Sequence, residues 1–392
     1  MSTKAESDTK KIDYSIANPD VVDKYKTAGS ISTAVLAEVR KAVKEGAKVF
    51  DLCELGDKLM EEQLSKVYSK KNKTVRGIAF PTCVNPNNIP AHLSPESPED
   101  EANLTLKDGD VVNIMLGVQI DGFPAVVADT TIVGESAENP VLGKKADLLH
   151  AAWNASEAAI RTFKPGNRNF DVTNIVDKVA KDFGVTAVQS MLTHNQERDV
   201  LYGPKEVILN PAKEHKNRME VHRFEELEVY GLDILISTSE EGKVKKSNYK
   251  TTLYKLTGNN YSLKLNTSRQ ALKAFKQKVS GKFPCNVKVF ENPRNVRVGM
   301  IECSNHEVVL PYDIMEGASD SYIAQFFTTI AITKNGIVKY TNPTFNPELY
   351  KTEKGVADNE IAKLIAEPLP ESKKKKKKSN KKSSTTERAQ TE

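Results

Sequence analysis

The most informative part of this sequence is residues 76–133. It opens with RGIAFPTCVNPNNIPAHLSP (76–95) and, after an acidic spacer, continues as GDVVNIMLGVQIDGFPAVVADTTIV (109–133). In the second part, two apolar runs at 111–118 and 123–133 flank the dipeptide Asp121-Gly122. Because glycine tolerates positive φ, this pattern predicts a β-hairpin. His92 precedes the hairpin in a loop rich in Pro and Asn, a usual position for a proton-transfer group.

The composition is that of a globular protein with a large core. Of 392 residues, 39% are hydrophobic and 28% are charged. The sequence has no apolar run long enough for a membrane span and no apolar segment near its start, so we expect neither a membrane partner nor a secretory signal. Four cysteines lie far apart, which predicts no zinc site and a reducing compartment: Cys53, Cys83, Cys285 and Cys303.

Charge is distributed unevenly along the chain. Residues 243–282 contain eleven Lys/Arg and no Asp/Glu, and residues 372–392 contain nine Lys/Arg and two Glu. These segments contribute +11 and +7 to a net charge of +5, so the remaining residues carry −13. An acidic body with two basic segments favours polyanionic partners.

A helical unit near the start recurs 120 residues later. Apolar spacing predicts one helix from about residue 21 to 43, closed by Gly46, and a second, opened by Asp51, that ends near residue 68. Six residues have identical counterparts at that shift: Lys44, Gly46, Phe50, Asp51, Asp57 and Lys58 match Lys164, Gly166, Phe170, Asp171, Asp177 and Lys178. We expect the Asp to cap the second helix and the Phe to pin the turn to the core in both copies. Chance could produce six identities, but the matched order of elements favours duplication.

The rest of the chain is predicted to complete a sheet around a basic insert. Strands are expected at 191–194, 228–236 and 299–303, and a last pair at 323–333 and 337–340 joined by Asn335-Gly336. The insert, 243–282, combines a strand-like run at 251–255 with a helical pattern at 267–278. Residues 1–12 are expected to be flexible, 13–360 to form one domain, and the low-complexity tail 368–392 to be disordered.

Residues 76–133 resemble the methionine aminopeptidases, and the type II enzymes most closely, in which GIAFPT and a loop AH precede a hairpin. The resemblance implies the pita-bread fold, an α+β fold whose pseudo-twofold duplicated halves surround a curved antiparallel sheet. In those enzymes the hairpin carries two metal-binding aspartates. Carboxylates that project to one face from paired strands can bridge two divalent cations.

The same resemblance assigns the metal-site positions of this chain. Three ligand positions carry Met115, Val126 and Phe327 in place of two aspartates and a bridging glutamate. The positions that remain polar are His92 for the catalytic histidine, His194 for the ligand histidine and Asp233 for a ligand glutamate, while Tyr202 replaces a second histidine.

The loss of carboxylates argues against metal binding. Sites for paired divalent cations use several anionic oxygens, which His194 and Asp233 alone do not supply. We therefore expect no metal, no cofactor and no peptidase activity, with the three apolar residues packed as core. Asp121 belongs to the hairpin turn, and strand alternation points Asp129 to the other face, so neither replaces a ligand.

Two histidines keep more than one interpretation. His92 is either a relic or a hydrogen-bond partner of Asp233 or of a ligand in the cleft. His194 is either a satisfied buried polar residue or a ligand.

Residues 13–360 as a whole resemble the proliferation-associated and curved-DNA-binding branch of this family. The supporting stretches are DYSIANPDVVDKYKTAG, GIAFPT with AHLSP, LKLNTSR in the insert, and the Lys-rich tail. The resemblance implies a non-peptidase that binds nucleic acid and growth-signalling partners. It also implies a location in the nucleus, the nucleolus and the cytoplasm, on ribosomes or their precursors.

Nucleic-acid binding is also indicated by the residues themselves. The basic residues of the insert are interleaved with Tyr249, Tyr254, Tyr261 and Phe275, and aromatic rings can stack on exposed bases. The predicted contacts are Lys243, Lys245, Lys246, Lys250, Lys255, Lys264, Arg269 and Lys273 in the insert, and Lys373, Lys374, Lys375, Lys376, Lys377 and Lys378 in the tail. A solvated insert face and a solubilising tail are the alternatives. The sequence contains no base-reading module, so binding should follow shape, as for curved DNA or structured ribosomal RNA.

Three hypotheses follow from the sequence. The first is a catalytically inactive pita-bread protein that binds curved DNA and structured RNA or the large ribosomal subunit. The second is a peptide-binding adaptor that holds a protein partner in the vestigial cleft. The third is an active metallopeptidase, which the three apolar ligand positions oppose.

Overall fold

The computed structural model describes residues 12–69, 74–216, 219–279 and 283–370. The helices are α1 (Pro19–Ala42), α2 (Val49–Lys66), α3 (Lys144–Thr162), α4 (Asn169–Asp182), α5 (Lys213–Lys216), α6 (Asn266–Lys278), α7 (Pro293–Asn305) and α8 (Asn359–Ala366). The strands are β1 (Arg76–Pro86), β2 (Val111–Ile120), β3 (Phe123–Ile132), β4 (Thr186–Ala187), β5 (Leu192–Gln196), β6 (Glu206–Ile208), β7 (Val229–Ser237), β8 (Lys245–Lys246), β9 (Leu253–Leu256), β10 (Cys285–Asn286), β11 (Val309–Tyr312), β12 (Met315–Glu316), β13 (Ile323–Thr333) and β14 (Gly336–Lys339).

One antiparallel sheet forms the centre of the molecule. Its strand order is β1-β2-β3-β13-β7-β5-β6, with β14 paired to β13 and β4 paired to β7. The helices α1 and α2 pack on the β1–β3 half, and α3 and α4 pack on the half that contains β7 and β13. Each half has its own apolar core between helices and sheet. No helix in the described ranges is long and apolar enough to cross a membrane.

The predicted hairpin is confirmed. The strands β2 and β3 pair along their whole length and are joined at Asp121-Gly122, where φ is +55° and +83°. The turn is held by ion pairs from Lys24 and Arg198, each 2.7 Å from a carboxylate oxygen of Asp121. Asp121 therefore has the turn role that the sequence predicted.

Backbone hydrogen bonds support the predicted duplication. The amide of Gly46 donates to Leu106 O (2.8 Å), and that of Gly166 donates to Phe224 O (2.9 Å). The reciprocal bonds also match, from Leu106 N to Ala47 O (2.8 Å) and from Phe224 N to Asn167 O (2.9 Å). Both glycines have positive φ, +81° and +89°, which a residue with a Cβ rarely adopts. The two halves thus share their turn geometry as well as their order of elements.

The ends of the repeated helices differ in part from the prediction. Asp171 accepts a hydrogen bond from the Arg168 amide (2.8 Å) and so contributes to the cap of α4. Both aspartates lie at the third position of their helices, behind the N-caps Arg168 and Lys48, so neither is the N-cap residue itself. Asp171 completes a capping box, and no such bond is formed by Asp51 among the described residues. Phe50 and Phe170 are only half-buried, and their neighbours Val49 and Asn169 are the buried residues of each turn.

The basic segment forms part of a small α/β unit beside the main sheet. The strands β10, β9 and β11 form a three-stranded sheet, and α6 and α7 pack together against it around a core that includes Phe275 and Met300. The predicted strands at 228–236, 323–333 and 337–340 are confirmed as β7, β13 and β14, and the predicted insert strand and helix as β9 and α6. The predicted strand at 299–303 is wrong, because these residues belong to α7.

The helix α7 contains the residues for which a strand was predicted. Asn292 accepts a hydrogen bond from the Asn295 amide (3.1 Å), and Pro293 occupies the first turn. A Cβ at Gly299 would lie 2.5 Å from the Ala271 Cβ, so α6 and α7 approach closely because this residue is glycine. The packing between these helices therefore favours a helix over the predicted strand.

Candidate functional site

The three apolar ligand positions lie together on one face of the main sheet. Met115 and Phe327 both lie opposite Ala128 in the strand register, and Val126 is two residues earlier on the same strand. All three are buried and belong to one apolar cluster, which also contains Phe80, Cys83, Leu201, Leu253, Phe283 and Tyr312. Hydrocarbon therefore fills the region that the resemblance assigns to the metals, as the sequence predicted.

Asp233 lies at the edge of this cluster and is buried. Gln325 Nε2 donates a hydrogen bond to Asp233 Oδ1 at 2.8 Å and lies 3.8 Å from Met115 Sδ. Burial raises the pKa of Asp233 to about 7, although the hydrogen bond from Gln325 opposes the rise. Burial therefore disfavours the charged form of this carboxyl group.

The two histidines are held by contacts other than a metal. His194 lies in the middle of β5, not at a strand end as predicted, and its Nδ1 is 3.1 Å from Gly203 O. Burial lowers the pKa of His194. His194 is half-buried, and this contact fits its interpretation as a satisfied polar residue.

His92 is packed between aromatic rings. Its ring centroid lies 5.4 Å from that of Phe80 and 5.2 Å from that of Tyr312. Burial lowers the pKa of His92 to about 4, so the ring is neutral at pH 7. Its Nδ1 has no hydrogen-bond partner among the described residues, and Asp233 pairs with Gln325 instead. The predicted alternative of a His92–Asp233 hydrogen bond is therefore absent from the described structure.

Further rings and one cation complete the rim of the former site. The Tyr202 ring lies 5.3 Å from His194 and 6.1 Å from Tyr312, between centroids. Lys255, from β9 of the insert, places its Nζ 5.1 Å from the Tyr202 centroid. The insert thus reaches over the former site, and Lys255 lies there and not with the basic residues of α6.

The donor set does not fit a pair of divalent cations. Within the described ranges, no three His, Cys, Asp or Glu side chains are grouped as a metal site. Asp129 does not replace a ligand, because its Oδ2 contacts Arg40 (3.3 Å) and Thr344 Oγ1 (2.9 Å) away from the cluster. His194 and Asp233, beside a cluster of apolar side chains, provide too little negative charge for two divalent cations.

Seven exposed lysines of the insert divide into two groups by whether they form ion pairs. Lys243, Lys245 and Lys246 are exposed but form ion pairs with Glu241 (2.6 Å), Glu316 (3.3 Å) and Asp313 (2.9 Å). Lys250, Lys264, Lys273 and Lys276 are exposed and form no ion pair with any described residue. Arg269, Lys273 and Lys276 share one side of α6 at helical spacing. Lys276 was not among the predicted contacts, although the helical period marks it.

The predicted aromatic contacts are mostly unavailable to a ligand. Tyr254 and Phe275 are buried in the core of the insert unit, and Tyr249 is half-buried against the core of the first half. Of these four residues only Tyr261 is exposed, with 41% of its surface accessible to solvent. The six tail lysines, Lys373 to Lys378, lie outside the described residues.

Comparison with known proteins identifies the family. The model of metallopeptidase family M24 matches residues 23–225, and the chain belongs to this family. The chain is 44% identical over 373 residues to the curved DNA-binding protein of Schizosaccharomyces pombe, and the alignment covers 95% of this chain and 97% of the relative. It is 35% identical to proliferation-associated protein A of Dictyostelium discoideum, with 91% of each chain covered.

A solved structure agrees with these relatives. A thermophilic Arx1 superposes with a TM-score of 0.83 at 34% identity and covers 90% of this chain and 100% of its own. The family match and this superposition confirm the pita-bread fold that residues 76–133 predicted.

Proposed function

We propose that this protein is a non-catalytic member of family M24 that binds nucleic acid through its basic insert. One observation carries the proposal. The helix α6 presents Lys273 and Lys276, and the segments before it present Lys264 and, ahead of β9, Lys250, all without acidic partners among the described residues, on a chain whose remaining residues are net acidic. Cations held on a fixed scaffold bind phosphates and release counterions.

The paired lysines of the insert, Lys243, Lys245 and Lys246, lie on and beside the β8–β12 ribbon and are proposed as additional phosphate contacts. Exposed ion pairs contribute little free energy, so phosphates can displace Glu241, Glu316 and Asp313 from their lysines. Their net effect on affinity is smaller than that of the unpaired group, because the acids remain nearby.

Catalytic inactivity is the second part of the proposal. Met115, Val126 and Phe327 provide no ligand atoms, and His194 and Asp233 do not hold two cations between them. The packed cluster also opposes the adaptor hypothesis, because hydrocarbon side chains fill the space that a peptide would need.

The names of the relatives support the class of partner. The name curved DNA-binding protein supports curved DNA as a partner, and the name proliferation-associated protein supports a link to growth. We extend the proposal to structured RNA and the large ribosomal subunit, in ribosome biogenesis or translation. We propose a nuclear and nucleolar location, with a cytoplasmic fraction. We also propose 13–360 as the structural domain, with 243–282 as its insert and 368–392 as an added polyanion-binding arm.

Binding measured against salt tests this function. Replacing Lys264, Lys273 and Lys276 with Glu should weaken binding to duplex DNA and folded RNA and lower the slope of log K against log salt by about three. The matched control replaces Lys26, Lys181 and Lys351, three exposed lysines outside the insert, with Glu. The proposal is wrong if both variants lose affinity equally, because only net charge would then matter.

A further inference from the structure

Tyr261 and His306 form an exposed stacked pair at the surface of the insert unit. Their ring centroids lie 3.7 Å apart, and the planes are inclined by 11°. Both residues are exposed. Tyr261 lies in the loop before α6, and His306 caps the C-terminus of α7. The pair is therefore formed by two segments that are 45 residues apart in sequence.

Hydrogen bonds hold the two segments in register. Thr257 Oγ1 and Asn259 Nδ2 donate to Glu307 O at 2.6 and 3.2 Å. At the other end of the loop, the amides of Lys264 and Leu265 donate to the Glu302 carboxylate at 2.7 and 3.1 Å. The stacked pair is therefore organised before any ligand binds, and the conformational entropy lost on binding is small.

The surroundings of the pair combine a flat ring with positive charge. Arg269 Nη1 donates to the carbonyls of Leu263 and Lys264, both at 2.8 Å, which holds its guanidinium beside the loop. Lys264 is exposed and forms no ion pair within the described ranges. Two acids lie nearby as well: Glu302 accepts bonds from two backbone amides, and Glu307, the residue after His306, is exposed. A flat ring beside two cations matches a nucleobase and its phosphates.

We propose that the Tyr261–His306 pair stacks one unpaired base of a structured RNA. The inference rests on the proposed nucleic-acid binding and names its preferred substrate. Bases inside a continuous duplex are stacked on each other and present no free face, whereas a bulged or looped base does. The basic face of α6 binds the phosphates of the RNA stem, and the stacked pair selects a stem with an unpaired base next to it.

Two RNA hairpins test this inference. They have the same stem, and one carries a single bulged 2-aminopurine, whose fluorescence is quenched when it stacks on an aromatic ring. The full chain should bind the bulged hairpin about tenfold more tightly and quench its fluorescence. Tyr261→Leu should abolish both the preference and the quenching without changing affinity for the perfect hairpin, and Tyr261→Trp should retain both. Lys273→Glu should weaken both RNAs by a similar factor.

The possible failures are distinguishable. Equal affinity of the wild type for the two hairpins, or a preference unchanged in Tyr261→Leu, overturns this inference and leaves the proposed function standing. Failure to bind either hairpin at low salt overturns the RNA function and this inference together. Circular dichroism of each variant reports folding, and the exposure of Tyr261 predicts spectra equal to that of the wild type.

Discussion

Gln325 donates a 2.8 Å hydrogen bond to Asp233, the buried carboxyl group that remains beside the packed metal-site positions. In this arrangement the carboxyl group faces the side-chain amide of Gln325, whose Nε2 also lies 3.8 Å from the sulfur of Met115. The site is therefore stabilised by packing and by one neutral donor.

The first prediction is the absence of aminopeptidase activity. Because three ligand positions are apolar, purified protein should hold no stoichiometric pair of metals and should not cleave Met-Ala peptides with added cobalt or manganese. Metal analysis and a peptide-release assay measure this. Activity that is abolished both by a chelator and by His194→Ala would contradict it.

The second prediction concerns Met115→Asp. The new carboxyl would lie beside Val126 and Phe327, so it should restore no catalysis and should lower the free energy of unfolding by about 1–3 kcal/mol. Chemical denaturation measures the change. The control is Ile301→Asp at a position that is 55% exposed on α7, where we expect about 0.5 kcal/mol or less. An unchanged stability of Met115→Asp would show that water reaches the site.

The third prediction is a pH dependence that Asp233 causes. Its pKa rises to about 7 in the folded state, so the folded protein binds a proton that the unfolded chain has released. This contribution to stability is complete below the ordinary carboxyl pKa and is lost as the pH rises through about 7. Asp233→Asn should therefore gain stability relative to the wild type between about pH 4 and 7, by up to about 1.4 kcal/mol per pH unit.

Comparing the wild type with Asp233→Asn removes the opposing effect of His92 on stability, because both proteins contain His92. The pKa of His92 falls to about 4, so its contribution increases stability as the pH rises from 4 to 6.5 in wild type and variant alike. Exposed Asp23→Asn is the control and should follow the wild-type curve. If the free energies of unfolding of the wild type and Asp233→Asn differed by a constant amount across this pH range, Asp233 would be ionised in the folded protein.

The fourth prediction concerns the attachment of the insert unit to α2. Lys288 is buried, and its Nζ lies 2.8 Å from Asp57, which also accepts the Thr82 amide at 2.7 Å. Lys288→Met leaves a carboxylate without its cation and should cost about 3 kcal/mol. Adding Asp57→Asn should recover part of this loss, because the uncompensated charge is removed. Additive losses in denaturation experiments would show that the pair is not coupled.

Much of the fold could be predicted because its signals are local. Two apolar runs around Asp121-Gly122 specify the hairpin, and the positions of Met115 and Val126 on its strands follow from the same motif. The helix α7 could not be predicted from periodicity, because its packing on α6 depends on Gly299 meeting Ala271, a contact between distant residues. The pairing of Tyr261 with His306 has the same origin, and no sequence signal marks it.

For the candidate nucleic-acid interface, too, the sequence predicted only part of what the structure shows. The basic composition of 243–282 indicated a polyanion, but it did not distinguish Lys245 and Lys246, which are paired with acids, from Lys273, which is not. Nor did it show that Tyr254 and Phe275 are needed for the core of the insert unit. Those distinctions depend on β12 and α7, which lie beyond the basic segment in sequence.

Competition binding at several salt concentrations tests the central claim, that a fixed basic insert on a non-catalytic scaffold recognises the shape of nucleic acid. The probes are curved DNA, straight DNA and a folded RNA. Reversing Lys250, Lys264, Lys273 and Lys276, which form no ion pair with any described residue, to Glu should narrow the difference in affinity between curved and straight DNA. Deleting 372–392, which carries +7, should weaken all probes by a similar factor and lower the salt slope. If the deletion alone erased the preference while the insert variant retained it, the claim would be contradicted.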